Sequence, residues 1–175
     1  MKARNMALCA LFAALTALCA WLCVPLGDTP VTLQTFSIAL SLWLLGGKRG
    51  SLSVLVYLLL GAVGLPVFSG FRGGLGALLG VTGGYILGFL VWAVLYWLIC
   101  SCFAPAQKVQ LIAMAAGLIA CYLFGTVWFC RLYASGSGAG IAAALLRCVV
   151  PYLLPDGIKL TCAWFLARRL RRFVY

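Results

Sequence analysis

Two ionisable residues sit inside an apolar segment that has no obvious room for charge. They are Asp156 and Lys159, in Pro151-Tyr-Leu-Leu-Pro155-Asp156-Gly-Ile-Lys159. Three positions apart, they share one face of a helix. A charge at the centre of a bilayer costs at least about 2.5–3.5 kcal/mol on insertion scales, so ionisable residues in such a segment mark a function by default. Their chemistry is recognition: a carboxylate accepts from N–H groups, and an ammonium donates to carbonyls or pairs with an anion. Two prolines frame the pair, and proline frees backbone carbonyls for a ligand or a neighbouring helix. A mutually neutralising pair that tolerates burial is the bland use of the same residues. Arg147, earlier in the segment, either caps its outer end or reports topology.

A second feature is Gly64-Leu-Pro-Val-Phe-Ser-Gly-Phe-Arg-Gly-Gly-Leu-Gly-Ala-Leu-Leu-Gly-Val-Thr-Gly-Gly-Tyr85. Residues 61–84 hold nine of the chain's 20 glycines, too many for a stable helix in a stretch too apolar for an ordinary exposed loop. Glycine lets backbone approach a ligand closely, and Phe68, Phe71 and Tyr85 supply aromatic walls. The segment lacks GxxxxGK[ST] and a preceding strand, so it is no phosphate cradle. It reads as a folded lid over a cavity, or as a structural re-entrant loop. A weaker third feature is the small-xxx-small spacing of the first helix, at Ala3 and Ala7, Ala10 and Ala14, and Ala13 and Ala17, which allows close approach of helices for internal packing or a membrane partner.

Metal and acid–base chemistry have little to work with. The chain has no histidine and two acidic residues, and its nine cysteines form no CxxC pair. Nearly all of those thiols lie in apolar runs, where cysteine packs as a small hydrophobe. Zinc, iron and haem sites lack their usual ligands, so no cofactor is expected, and an intramembrane enzyme has almost no general acid or base.

The elements that must position these groups are set by composition. Of 175 residues, 66% are hydrophobic and 9% charged, with a mean hydropathy of +1.16. Soluble domains carry about 25% charged residues, so the body faces lipid and the chain is a polytopic membrane protein. Thirteen Lys and Arg against two acids leave a net charge of +11. The basic residues are dispersed between apolar runs as cytoplasmic loops are, which argues against a nucleic-acid partner. Membrane lipids are the partners such a surface requires.

A span needs about 20 apolar residues. Residues 4–24 supply one, retained rather than cleaved, since the run is longer than a signal h-region of about 7–15 residues. Pro25 and Gly27 end it, with a polar turn at Asp28-Thr29-Pro30. Val31–Leu45 and Ser51–Val63 are shorter, separated by a loop at Gly46-Gly-Lys-Arg-Gly50, and form either a re-entrant hairpin or two short tilted spans. Residues 85–103, 109–132 and about 142–167 complete the set, with turns at Pro105–Lys108 and Tyr133–Gly140. The expectation is one all-α integral membrane domain, 1–175, with six transmembrane helices and a glycine-rich loop between helices 3 and 4. Even parity puts both termini on one side. That side then holds Lys2, Arg4, Lys48, Arg49, Lys108, Arg168, Arg169, Arg171 and Arg172, as the positive-inside rule requires of the cytoplasm. Five spans would oppose the two terminal clusters.

In this order and spacing, several segments resemble the BioY family, the biotin-binding S components of energy-coupling-factor (ECF) transporters. The similarity is carried by Pro30-Val-Thr-Leu-Gln-Thr-Phe36, Tyr57-Leu-Leu-Leu-Gly-Ala-Val-Gly-Leu-Pro-Val-Phe68, Gly73-Gly74, Thr82-Gly-Gly-Tyr-Ile-Leu-Gly-Phe89, and Asp156 with Lys159. It runs through most of residues 10–165. Val81 stands where the family usually has proline, which loosens the lid. Leu154-Pro155 replaces a Pro-Gly, which shifts the helix start near Asp156.

The resemblance implies the six-helix S-component fold, with biotin bound near the extracellular face of the cell membrane and both termini cytoplasmic. It implies uptake driven by a separate transmembrane coupling protein and two ATP-binding subunits, met by Ala10, Ala14 and Ala17 of helix 1. It implies a substrate site of Asp156, Lys159, Tyr85, Thr82, Gln34, Phe68, Gly73 and Gly74. Asp156 suits the ureido N–H groups; Lys159 suits either the ureido carbonyl or the valerate carboxylate. An S component for another vitamin or precursor, or a membrane scaffold protein, are the competing readings.

Overall fold

The computed structural model describes residues 3–26, 29–103, 106–133, 145 and 148–174. Among these residues seven named helices and two short strands follow in order: α1 (Ala3–Trp21), β1 (Cys23–Leu26), β2 (Thr29–Thr32), α2 (Gln34–Leu45), α3 (Gly47–Ala62), α4 (Leu75–Leu79), α5 (Gly83–Cys102), α6 (Gln107–Tyr133) and α7 (Val150–Val174). Six are long helices and α4 is little more than a turn. α1, α5 and residues Gln107–Leu132 of α6 are long and apolar enough to cross a membrane. The expected turn at Tyr133–Gly140 begins at the last residue of α6, and its residues 134–140, like Arg147 and Asp28, lie outside the described residues.

α2 is the hub. Every residue from Gln34 to Leu45 except Phe36 is buried, and the helix packs on α1, α3 and α7. A helix enclosed on all sides needs no polar face, which is why its pattern shows no amphipathic period. Its serines donate within the bundle instead: Ser37 to the Gln34 carbonyl at 2.9 Å and Ser41 to the Ile38 carbonyl at 2.7 Å. Between helices, Ser51 of α3 donates to the Ala93 carbonyl of α5 and Ser53 to the Cys9 carbonyl of α1. Such hydroxyl bonds are a common cohesive device in lipid, where apolar contact alone does not favour helix over lipid.

α5 and α6 form the closest pair, and the reason is a set of aromatic knobs in glycine notches. Trp92 of α5 lies over Gly117, Tyr85 of α5 over Gly125, and Trp128 of α6 over Gly84; a Cβ on these glycines would fall 2.1, 2.2 and 2.3 Å from the respective side chains. Any side chain there would separate the helices.

Four local expectations are refined by the structure. The predicted loop at 46–50 is a sharp corner: Gly46, at φ +80°, ends α2, and Lys48, Arg49 and Gly50 already belong to α3. A Cβ on Gly47 would sit 2.6 Å from the Trp97 Cα, and one on Gly50 would sit 2.8 Å from the Leu42 side chain. Those glycines serve close packing, not a flexible loop. The expected turn after α1 is flanked by a small antiparallel pair, with Cys23 opposite Thr32 and Leu26 opposite Thr29, a local feature of an otherwise helical fold. The glycine-rich stretch also contains α4, and α7 continues beyond 167 through the arginine cluster.

Lys48 and Arg49 at the start of α3 and Arg168, Arg169, Arg171 and Arg172 near the end of α7 lie at one end of the bundle. Cys9 of α1 bonds the Arg49 carbonyl at the start of α3. Arg171, near the end of α7, bonds the Trp43 carbonyl at the end of α2 and Gln110 at the start of α6. The hairpin, the glycine-rich loop and the start of α5 meet at the other end.

Candidate functional site

Asp156 and Lys159 lie on the inner face of α7, where it packs against α2. They are 3% and 9% exposed, and the Lys159 Nζ is 2.7 Å from Asp156 Oδ1. Pro155 is inside the helix, so the replaced Pro-Gly does not make Asp156 a helix start: α7 already runs from Val150. Two hydroxyls from other helices complete the carboxylate's shell. Thr35 at the start of α2 donates to Oδ1 at 2.9 Å, and Tyr122 of α6 donates to Oδ2. A carboxylate offers about four lone-pair sites. Lys159 and Thr35 occupy two on Oδ1 and Tyr122 one on Oδ2, so one acceptor position remains. Lys159, with three donors, uses one on Asp156.

Above this group a cavity opens between α2, α5, α6 and α7. Asp156, Lys159, Tyr85, Thr82 and Gln34 line it, together with Thr32, Thr35, Ser69, Tyr122 and Tyr152. Ile86, Phe89 and Leu118 give it an apolar wall. The Tyr85 hydroxyl pairs with Thr126 at 3.2 Å, which holds the phenol upright over the Gly125 notch. Thr82 precedes α5, and its hydroxyl makes no capping bond to that helix.

Gln34 is held from both sides. Its Oε1 accepts from Thr32 at 2.8 Å, and its Nε2 donates to the Tyr57 hydroxyl at 2.6 Å. Tyr57 in turn donates to the Val67 carbonyl in the glycine-rich loop. Few polar groups fixed in an apolar concavity are the usual form of a small-molecule site. The arrangement suits a small, partly apolar ligand presenting both donors and acceptors. Among the described residues no group of three potential metal ligands occurs.

Three expected contacts stand apart from the cavity lining. Phe68 is 1% exposed and packs edge-on against Tyr57 with centroids 5.6 Å apart; Gly61 leaves space for its ring, since a Cβ there would lie 2.0 Å from it. Phe68 therefore supports Tyr57 from behind. Gly73 presses against the Leu65 carbonyl, 2.2 Å from where its Cβ would be, and Gly74, at φ +85°, donates its N–H to the Gly61 carbonyl at 2.7 Å. Both glycines fold the loop. On α1, Ala10 and Ala14 are exposed while Ala17 is buried at 8%, so the small-residue row is only partly on the surface.

Thr35, Tyr122, Ser69 and Tyr152 were not singled out from sequence. For Thr35 and Tyr122 the available signal was a hydroxyl in an otherwise apolar run. The loop is also tied to α1: Trp21 Nε1 donates to the Pro66 carbonyl at 2.8 Å and its indole stacks on Phe71 at 5.0 Å.

Comparison with known proteins gives consistent results. The BioY family model matches residues 1–175. A protein of Pyrococcus horikoshii named probable biotin transporter BioY is 39% identical over 171 residues, covering 98% of each chain. The biotin transporter BioY of Thermotoga maritima is 39% identical over 167 residues, 93% of this chain and 92% of the relative. A crystal structure of the S component for biotin from an ECF-type ABC transporter superposes with a TM-score of 0.84 at 27% identity, over 98% of this chain and 92% of that one. A second solved S component of a bacterial ECF transporter shares the fold at a TM-score of 0.63 and 11% identity.

Proposed function

The chain belongs to the BioY family, and we propose that it captures biotin and mediates its uptake as the substrate-specific component of an ECF-type transporter. It is a transport protein, not an enzyme. The observation that carries the reading is the buried Asp156–Lys159 pair facing a mostly apolar cavity, with Thr35 and Tyr122 completing the carboxylate's shell.

Biotin's parts match the site's parts. The ureido ring brings two N–H donors and a carbonyl. The open acceptor position on Asp156 takes one N–H, Lys159 donates to an oxygen of the ligand, and Gln34, Tyr85 and Thr82 bracket what remains. The thiophane ring and valerate methylenes lie along Ile86, Phe89 and Leu118. Phe68, Gly73 and Gly74 act by holding the loop and Tyr57 in place.

The cavity opens at the end opposite the basic cluster. With positive residues retained in the cytoplasm, both termini are cytoplasmic and biotin enters from outside. A coupling membrane protein and two ATP-binding subunits supply the energy, and the exposed face of α1 around Ala10 and Ala14 offers a close-packing surface to the coupling protein.

Equilibrium binding of biotin to the purified protein tests the reading, with Asp156→Asn and Lys159→Ala beside the wild type. Removing one charge-assisted hydrogen bond weakens binding by about tenfold or more. Unchanged affinity in both variants overturns the site; no binding by folded wild type overturns the substrate. Uptake with and without a coupling module tests the partners.

A further inference from the structure

α6 and α7 are not among the closely packed helix pairs. They are bridged by Tyr122 with Asp156 toward one end and by Gln110 with Arg171 at the other. Between these bridges a groove of about 310 Å³ opens, floored by Leu111, Met114 and Ala115 of α6 and Leu160, Trp164 and Phe165 of α7, with Arg168 at its end. A smaller recess of about 120 Å³ adjoins it and adds Arg171, Gln107 and Gln110.

The arginines are placed, not merely nearby. Arg168 lies over the Trp164 ring, 5.4 Å from its centroid, and Arg171 is anchored by Nη2 to the Trp43 carbonyl at 3.2 Å and to Gln110 Oε1 at 3.1 Å. The chain has two acidic residues for thirteen basic ones, and Asp156 is already held by Lys159. Among the described residues neither Arg168 nor Arg171 has an acidic partner, so their counter-charge is open to a ligand. Guanidinium groups match the oxygens of a phosphate in a fork geometry. The floor that continues from them is apolar and open to the bilayer, with Phe165 65% exposed.

We propose that the α6–α7 groove holds an anionic phospholipid, with its phosphate at Arg168 and Arg171 and one acyl chain along the apolar floor. A lipid occupant satisfies both halves of the site at once. A free anion leaves the floor uncovered, and an uncharged lipid leaves the arginines without their counter-charge. The proposal does not depend on the identity of the transported ligand.

Native mass spectrometry of the purified protein titrated with phosphatidylglycerol or phosphatidylcholine of identical acyl chains tests it. Wild type is expected to bind phosphatidylglycerol at least about tenfold tighter, from two arginines near the headgroup. Arg168→Gln with Arg171→Gln abolishes that preference. Arg169→Gln with Lys48→Gln, which removes the same charge from this end of the bundle outside the groove and its recess, retains it. Ala115→Phe fills the floor and weakens both lipids, and inorganic phosphate does not compete. Thermal unfolding confirms that each variant is folded, and the Ala115→Phe arm stands even if the arginine pair is needed for folding. Equal affinity of wild type for the two lipids overturns the proposal. So does equal loss in the two double variants, competition by inorganic phosphate, or a lipid-free dimer in which a second copy covers the groove.

Discussion

The Tyr57 hydroxyl stands between the Gln34 amide, 2.6 Å away, and the Val67 carbonyl, 3.2 Å away, and so joins the cavity to the glycine-rich loop. Tyr57 is fully buried and lies outside the cavity lining, yet it fixes a side chain that lies within it. One hydroxyl group therefore couples the loop to the orientation of Gln34, and the ring that carries it packs on Phe68.

Tyr57→Phe keeps that ring contact and removes the hydroxyl. Gln34 then loses its acceptor and the Val67 carbonyl its donor, each bond having a net worth of about 1 kcal/mol. Biotin affinity is expected to fall by about five- to tenfold with the bundle still folded, as read by equilibrium binding and thermal unfolding. Gln34→Ala in the Tyr57→Phe background should then add little. Full additivity of the two substitutions shows that Tyr57 does not act through Gln34.

The ion pair makes a different prediction, about stability. Taking one partner from a buried pair leaves an uncompensated charge and costs about 3–5 kcal/mol, whereas removing both is often close to neutral. Asp156→Asn and Lys159→Met should each lower the unfolding temperature sharply. The double variant should recover most of the loss yet fail to bind biotin. A double variant as unstable as the singles shows that Thr35 and Tyr122, with their hydrogen bonds to Asp156, carry more of the fold than the charge balance does.

Much of this was legible in the residues. α1, α5 and α6 follow from unbroken apolar runs, and Asp156 with Lys159 from the rarity of charge. What the chain order hid is which face of each helix turns inward. In lipid both faces of a helix are apolar, so periodicity does not distinguish core from surroundings. Thr35 and Tyr122 are hidden for that reason: they meet Asp156 across sequence separations of 121 and 34 residues. Glycine misled for a related reason. At 46–50 it reads as a loop and at Gly73 as close approach to a ligand, while in the structure Gly47 and Gly50 admit neighbouring helices and Gly73 admits the Leu65 carbonyl. Phe68 reads as an aromatic wall, and its place behind Tyr57 depends on the Gly61 notch, which no local pattern announces.

Glycine notches between α5 and α6 separate packing from binding. Gly125→Ala pushes on Tyr85, whose ring lies 2.2 Å from the new Cβ and whose side chain lines the cavity. Gly117→Ala pushes equally on Trp92, which is outside the lining. Overpacking of this kind costs about 1–3 kcal/mol, so both variants should unfold at lower temperature. Only Gly125→Ala should also lose biotin affinity. Equal affinity loss in the two would assign the effect to helix separation in general.

Trp21 offers a kinetic test of the loop. Its indole N–H holds the Pro66 carbonyl at 2.8 Å, and its ring stacks on Phe71, which adopts φ +56°. Both contacts tie the segment above the cavity to the end of α1, and neither involves the buried core. Trp21→Phe removes the hydrogen bond and keeps an aromatic face; Trp21→Ala removes both. Since a net hydrogen bond is worth about 0.5–1.5 kcal/mol, biotin release should quicken by about two- to tenfold in Trp21→Phe and further in Trp21→Ala. Association rate and unfolding temperature should change little. Stopped-flow displacement of bound biotin measures this directly. An unchanged release rate in Trp21→Ala means that ligand departure does not require the loop to leave α1, and that Tyr57, on the loop's inner side, is the restraint that matters.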